Sequence, residues 1–195
     1  MPRLSRSEWY DLTRDMNWDL SYITEDEAFP PTLSNSFGVP AHDWWVWDEP
    51  YKITYTEYVH NQAGKDAGVY SVNNVLNRSH IFDNLKPGWK AAVIAHYGAI
   101  AVAEYQAGIG EARMGRFGRA AAWRNMATYG TLDETRHGQL QTYIPYQALA
   151  KEPRLDWAHK AYHTNEWGII AARHLFDDMF TANDAVSTAI QLTFT

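Results

Sequence analysis

Glu134 and His137 lie three residues apart in the segment L-D-E-T-R-H-G-Q-L-Q, a spacing that places both side chains on one face of a helix. A carboxylate and an imidazole on one helix face are ligands that transition metals accept. Chance alone should give about 0.4 E-x-x-H matches in a chain of this composition. A second copy, Glu57–His60, is present. The pair therefore indicates a metal site only if other residues support it.

Glu104 supplies that support. It lies in A-I-A-V-A-E-Y-Q-A-G, where a carboxylate among small and apolar residues would be costly to bury unless it were paired or metal-bound. A chain reversal near Arg119 lies fifteen residues from both Glu104 and Glu134. An antiparallel helical hairpin would then hold both at the same level, roughly 22 Å from the turn. We predict that Glu104, Glu134 and His137 converge as half of a carboxylate-bridged di-iron site.

The second half of such a site needs a further Glu and a further E-x-x-H. After His137 the chain contains Glu152, Glu166 and three histidines, but no further E-x-x-H. It ends at L-T-F-T, in what looks like the opening of a helix. We expect the chain to be the N-terminal part of a longer protein.

Long helices must position these residues. The segment 89–117 runs without proline through helix-compatible residues, and we predict one helix there and a second over 121–143. A third is predicted over 156–180, and a fourth beginning near Asn183 or Asp184. No β-alternating run appears in this half. The fold class predicted is all-α, a helical bundle over residues 87–195.

Residues 1–86 have a different character. The first 85 residues hold five of the eight prolines, and the stretch Phe29–Pro40 can hold no regular element for long. We predict an extended, aromatic-rich wrapping arm with two short helices. One lies near Ser7–Met16, capped by Ser5 or Ser7, and the other near Tyr55–Leu76.

The composition restricts the function. A net charge of −6 and a pI near 5.7 argue against nucleic-acid binding, which needs a basic surface. Without cysteine there is no disulfide, Cys-ligated zinc or Fe–S cluster, so any metal must use His and carboxylate. The N-terminus lacks an apolar signal segment, and we expect a cytoplasmic location. The apolar run Ala91–Gly110 carries Glu104 among other polar residues, so a buried helix is expected rather than a membrane span.

Several long motifs carry a family resemblance. They are E-W-Y-D-L-T-R, D-E-P-Y-K-I-T-Y-T-E-Y-V, H-Y-G-A-I-A-V-A-E-Y, R-N-M-A-T-Y-G-T-L-D-E-T-R-H-G-Q-L-Q and H-T-N-E-W-G-I-I-A-A-R-H-L-F-D-D. In this order they cover nearly the whole chain, which resembles the large hydroxylase subunit of bacterial multicomponent toluene monooxygenases. That resemblance implies a ferritin-like di-iron bundle, incomplete in this chain because the family's second ligand set follows L-T-F.

The resemblance also implies roles for individual residues. Glu104, Glu134 and His137 would bind iron, with Glu134 able to bridge two metals, and Asp133 would orient a histidine of the opposite half-site. Six residues match positions that line the family's substrate pocket: Ile100, Ala103, Ala107, Gln141, Phe176 and Phe180. Some toluene monooxygenases have Gly where this chain has Ala103, which leaves regioselectivity open. The family's active-site threonine lies beyond residue 195.

The activity implied is insertion of one oxygen atom of O₂ into an aromatic hydrocarbon such as toluene or benzene, at a centre of two Fe ions. Electrons would come ultimately from NADH through a reductase and a Rieske-type ferredoxin. Other hydroxylase subunits and a small effector protein would be partners. Two alternatives remain: an alkene-epoxidising relative, and a partial helical fragment that binds no iron by itself.

Other polar groups compete with this interpretation. His159, His163 and Glu166 have acceptable zinc spacing, but one face of an amphipathic helical segment is the favoured interpretation. Glu57 and His60 are interpreted as a surface pair. Four arginines cluster about the predicted hairpin end and form either a docking surface for an acidic redox partner or an ordinary solvated loop. They are Arg113, Arg116, Arg119 and Arg124.

Overall fold

The helices of this chain are those of a computed structural model that describes residues 3–14, 24, 53–118, 120–148, 152–182 and 188–189. The described elements are α1 (Arg6–Arg14), α2 (Tyr55–Arg78), α3 (Pro87–Phe117), α4 (Ala121–Ala148), a 3₁₀ helix (Pro153–His163) and α5 (Trp167–Thr181). No strand occurs among the described residues. The all-α prediction is confirmed.

The antiparallel pair α3 and α4 forms the largest interface of the fold. Pro87 occupies the first turn of α3, where its missing N–H costs nothing, and the helix ends at Gly118, whose N–H donates to the Met114 carbonyl at 2.8 Å. α4 continues through the buried Pro145 and ends at Ala148, five residues past the end predicted at Tyr143. Within the described part of the chain, no helix is both long and apolar enough to cross a membrane.

Two glycines let α3 and α4 approach at the level of the predicted ligands. A Cβ added at Gly108 would lie 3.4 Å from the Cβ of Glu134, and one added at Gly138 would lie 3.8 Å from the Cβ of Glu104. Each glycine follows the ligand of its own helix by one turn and packs against the ligand of the other. The small residues therefore fix how closely the two carboxylate-bearing backbones can pack.

The third predicted helix, 156–180, is wrong as a single element. The 3₁₀ helix ends at His163, and α5 begins only at Trp167. Arg173 Nη1 donates to the carbonyls of Tyr162 and Thr164, both at 2.7 Å, which satisfies backbone acceptors at the break. The 3₁₀ helix also packs tightly on α3. The Ala158 carbonyl oxygen would lie only 2.0 Å from a Cβ at Gly98.

Helices occur where they were predicted in the N-terminal segment. Ser5 caps α1: its Oγ accepts from the N–H of Glu8 at 3.3 Å, and its own N–H donates to Glu8 Oε2 at 2.8 Å. α2 begins at the predicted residue and extends two residues beyond the predicted end at Leu76; Thr54 caps it. The proline-rich stretch Phe29–Pro40 lies outside the described residues, as do the predicted caps of the fourth helix at residues 183 and 184.

Candidate metal centre

Glu104, Glu134 and His137 come together across the α3–α4 hairpin. Each offers one ligand atom, and these atoms all lie within 4.8 Å of one another. His137 Nδ1 lies 3.4 Å from Glu134 Oε2 and 3.7 Å from Glu104 Oε2. Among the described residues, this is the one group of three or more His and carboxylate side chains with such proximity. The hairpin thus brings together the three residues that spacing alone had singled out.

The electrostatics of this group favour a cation. Burial, a hydrogen bond with Glu134 and repulsion from its charge raise the pKa of Glu104 to about 7, with His137 acting in the opposite direction. Two carboxylates this close are stabilised by a shared proton or by a metal ion. Two carboxylates and one imidazole form a hard donor set that suits iron and other first-row divalent metals.

The described residues do not assemble the competing zinc candidate, which was the less favoured interpretation of this segment. His159, His163 and Glu166 are exposed and do not gather their ligand atoms. The reason is the 3₁₀ conformation of this segment, because residues i and i+4 point about 120° apart at three residues per turn, against about 40° in an α-helix. Glu57, of the other E-x-x-H pair, forms an ion pair with Arg6 instead.

Asp133 is held by α2 in a way that the sequence did not predict. Its Oδ1 accepts from the Tyr58 hydroxyl at 2.9 Å and from Gln62 Nε2 at 2.7 Å. Arg136 donates to Gln62 Oε1 and to Asp66 Oδ1, both at 2.7 Å. The available signal was the spacing of Tyr58, Gln62 and Asp66, which forms a polar stripe along one face of α2.

Glu111 is a carboxylate that sequence reasoning missed. It lies two helical turns after Glu104 on the same face of α3, packed against Gly130, where an added Cβ would come within 2.5 Å of its carboxyl carbon. Burial, followed by the negative charge of Asp133, raises the pKa of Glu111 to about 7. Its i, i+7 spacing from Glu104 was the signal available in the sequence.

Four of the six predicted pocket residues meet in an apolar cluster between α3, the 3₁₀ helix and α5: Ala103, Ala107, Phe176 and Phe180. Ile100 and Gln141 lie outside this cluster. Gln141 follows His137 by one turn of α4, and its buried Oε1 has no hydrogen-bond partner within the described part of the chain. Four of the six predicted pocket residues thus share one cluster of apolar side chains, and the role of all six as pocket lining stays a prediction.

Two cavities flank the three converging side chains. One, of about 620 Å³, lies between α2, α3 and α4 and is lined by Asn73, Tyr97 and His137 among others. The second, of about 540 Å³, lies along the α3–α4 groove and is lined by Tyr105 and Glu134 among others. None of the six predicted pocket residues lines either cavity.

Two of the arginines near the hairpin end are bound within the chain. Arg113 Nη1 donates to two carbonyl groups at the end of α5, at 2.7 and 3.2 Å. Arg124 Nη1 donates to the Gly118 carbonyl at 3.0 Å, and burial lowers its pKa. Arg119 lies outside the described residues. Arg113 and Arg124 therefore stabilise helix ends, so neither the docking surface nor the solvated loop describes them.

The sequence matches a known family over most of its length. Residues 18–195 match the family described as Methane/Phenol/Alkene Hydroxylase. The chain belongs to this family. The match confirms the expected relationship to hydroxylase subunits of multicomponent monooxygenases.

Two individual relatives of the chain are oxygenase components of monooxygenases. The chain is 36% identical, over 195 residues, to the alkene monooxygenase system oxygenase component subunit alpha of Xanthobacter autotrophicus; the match covers 100% of this chain and 39% of that protein. It is 27% identical over 186 residues to the phenol 2-monooxygenase oxygenase component DmpN of a Pseudomonas species, covering 94% of this chain and 35% of that protein. The chain thus spans less than two fifths of the length of either relative.

The fold agrees with a solved hydroxylase structure. Xenon-pressurized phenol hydroxylase from Pseudomonas sp. OX1 superposes with a TM-score of 0.77 over 98% of this chain and 58% of that chain, at 19% sequence identity. The predicted ferritin-like helical bundle is confirmed by this likeness.

Proposed function

We propose that Glu104, Glu134 and His137 are iron ligands, and that the full-length protein is the hydroxylase component of a multicomponent monooxygenase. Their convergence in a chain of this hydroxylase family is the observation that carries the proposal. The reaction proposed is insertion of one oxygen atom of O₂ into an aromatic hydrocarbon of the toluene or benzene type.

The three side chains fit a di-iron half-site. Glu104 and Glu134 supply oxygen donors from opposite helices, which suits a carboxylate-bridged pair of metals, and His137 supplies nitrogen one turn from Glu134. A bound cation would also relieve the repulsion that raises the pKa of Glu104 to about 7. When bound, two iron ions would supply the activation of O₂. The ligands of the second half-site are expected in the part of the relatives' length that this chain does not span.

The apolar cluster supports a hydrocarbon substrate. Ala103 and Ala107 lie on α3 beside Glu104, and Phe176 and Phe180 close the cluster from α5. Such a wall holds an apolar molecule and excludes bulk water from the reacting centre. We assign the pocket role to these four residues together with Ile100 and Gln141.

Epoxidation of a small alkene is the second candidate function. The observation favouring it is that the alkene monooxygenase subunit is 36% identical to this chain, whereas the phenol monooxygenase component is 27% identical. An apolar lining would suit either substrate class.

The partners belong to the same proposal. Electrons would come ultimately from NADH through a reductase and a Rieske-type ferredoxin, with other hydroxylase subunits, a small effector protein and a cytoplasmic location. The relatives' names, which describe oxygenase components and one alpha subunit of a monooxygenase system, support a multicomponent arrangement.

The test compares the two E-x-x-H histidines in the full-length protein. We expect two irons per wild-type subunit, at most one in the His137→Ala variant, and two in the matched His60→Ala variant, because His60 is exposed on α2. Iron is measured by chelation after removal of loosely bound metal. Iron content unchanged in His137→Ala would contradict the assignment of the ligands.

Substrate class is tested separately with the complete system. Toluene should yield cresols in the main proposal, whereas epoxide from propene with no toluene oxidation would favour the alkene alternative. The 195-residue chain alone is expected to hold no stable two-iron site, since its described residues bring together three of the six ligands such a site needs. Two tightly bound irons in this chain would contradict the half-site.

A further inference from the structure

The polar stripe of α2 packs against the turn of α4 that carries two of the proposed ligands. We propose that Tyr58 and Gln62 are positioning residues. They hold Asp133 and Arg136, and through them they set the direction in which Glu134 and His137 point. This inference rests on the proposed function, in which Glu134 and His137 bind iron.

Gln62 joins the two residues of α4 through both ends of its amide. Its Nε2 donates to Asp133 Oδ1, and its Oε1 accepts from Arg136 Nη2, each at 2.7 Å. A flipped amide would turn its oxygen toward the carboxylate and its N–H groups toward the guanidinium, so only one orientation satisfies both partners. Asp66 holds the other terminal nitrogen of Arg136 at 2.7 Å.

Tyr58 donates the second α2 hydrogen bond to Asp133. Its hydroxyl donates to the same carboxylate oxygen at 2.9 Å, while its ring stacks on Tyr129 of α4, with centroids 4.8 Å apart and planes 20° from parallel. Tyr58 is 7% exposed and Gln62 is 8% exposed. Hydrogen bonds to a charged group in such a sheltered place are stronger and more directional than those made in water.

The connection to the ligands follows from the helix itself. Asp133 immediately precedes Glu134, and Arg136 immediately precedes His137. Successive residues of an α-helix point about 100° apart, so fixing one residue of each pair against α2 fixes the direction of its neighbour. α4 is therefore held in rotation by α2 on one side while its ligands face α3 on the other.

Another contact between the same two helices provides a matched control. Tyr70 of α2 meets Tyr143 of α4 edge to face, with ring centroids 5.5 Å apart. Both rings are partly exposed, and neither touches Asp133 or Arg136 through a described hydrogen bond. Removing the Tyr70 hydroxyl makes the same chemical change on the same helix pair without altering the hydrogen bonds to Asp133.

The experiment uses full-length protein loaded with Fe(II), and with Co(II) for spectroscopy. Tyr58→Phe keeps the ring stacking and removes the hydroxyl. Gln62→Glu keeps the shape and the acceptor toward Arg136 but replaces the donor toward Asp133. We expect Gln62→Glu to release iron to a chelator about 10-fold faster than wild type or more, as changes beside metal ligands commonly do. Tyr58→Phe should release it several-fold faster, and Tyr70→Phe at the wild-type rate.

The Co(II) absorption spectrum separates positioning from general stability. We expect the d–d bands to shift in Tyr58→Phe and Gln62→Glu, because the ligand directions change, and to stay unchanged in Tyr70→Phe. Variants with wild-type spectra and release rates would overturn the positioning role while leaving the iron ligands intact. A wild-type protein that binds neither metal would overturn the proposed function as well, so the two failures are distinguishable.

Discussion

The half-buried carboxyl of Glu111 should make stability depend on pH, and Glu111→Gln should remove the part of that dependence that Glu111 contributes. Burial and the charge of Asp133 raise the folded-state pKa of Glu111 from 4.5 to about 7. Between about pH 4.5 and pH 7, the folded chain therefore keeps a proton on Glu111 that the unfolded chain has released. Below about pH 4.5 both states are protonated and there is no penalty; the penalty grows as pH rises and is complete above about pH 7.

The size of this effect follows from the shift. A difference of about 2.5 pKa units corresponds to about 3.4 kcal/mol if unscreened. Because Glu111 keeps some contact with solvent, we expect about 1–2 kcal/mol. Urea unfolding of metal-free wild type and Glu111→Gln, followed by far-UV circular dichroism, measures it. The variant's stability relative to wild type should rise by this amount from pH 5 to pH 8. A relative stability that does not change with pH would refute the reasoning.

Three further predictions concern helix packing and helix ends. Gly98→Ala should be about 1–3 kcal/mol less stable than Gly115→Ala in urea unfolding. The Cβ added at Gly98 would lie 2.0 Å from the Ala158 carbonyl oxygen, whereas the Cβ added at Gly115 would have its nearest neighbour 3.8 Å away. Equal stabilities of the two variants would contradict the tight contact. Arg113→Met should leave carbonyls at the end of α5 without their donor and cost about 1–3 kcal/mol; unchanged hydrogen-exchange protection there would argue against this role. Thr54→Ala should cost about 1 kcal/mol through loss of the α2 cap, and an unchanged urea midpoint would contradict it.

The long hairpin was predictable because its signals are local. A proline-free run, a turn near Gly118 and helix-compatible residues specify α3 and α4 without reference to the rest of the chain. The break between the 3₁₀ helix and α5 was not predictable in this way. It depends on the close contact of Ala158 with Gly98 and on the hydrogen bonds that Arg173 donates to the carbonyls of Tyr162 and Thr164. These contacts join residues that are distant in sequence or lie on different elements. The division of the chain at residue 86 stays a prediction.

The candidate site was also predictable only where its signals are local. Glu104, Glu134 and His137 were identified from spacing, whereas the role of Asp133 was implied only by resemblance. The residues of α2 that hold Asp133 were not identified from the sequence, because nothing in their local pattern indicates the helix they pack against. Glu111 was not identified either, because its burial depends on the packing of α3 against α4.

The sequence by itself determined that Glu104, Glu134 and His137 share one level of a helical hairpin, because the rise of an α-helix is the same for every residue and equal distances from a turn bring side chains level. Only the tertiary structure decided how α4 is held by Tyr58 and Gln62 and how far the pKa of Glu111 rises. Those properties depend on burial and on hydrogen-bond partners about seventy residues away, such as Gln62 and Asp133. No local pattern records which residues will exclude water from one another.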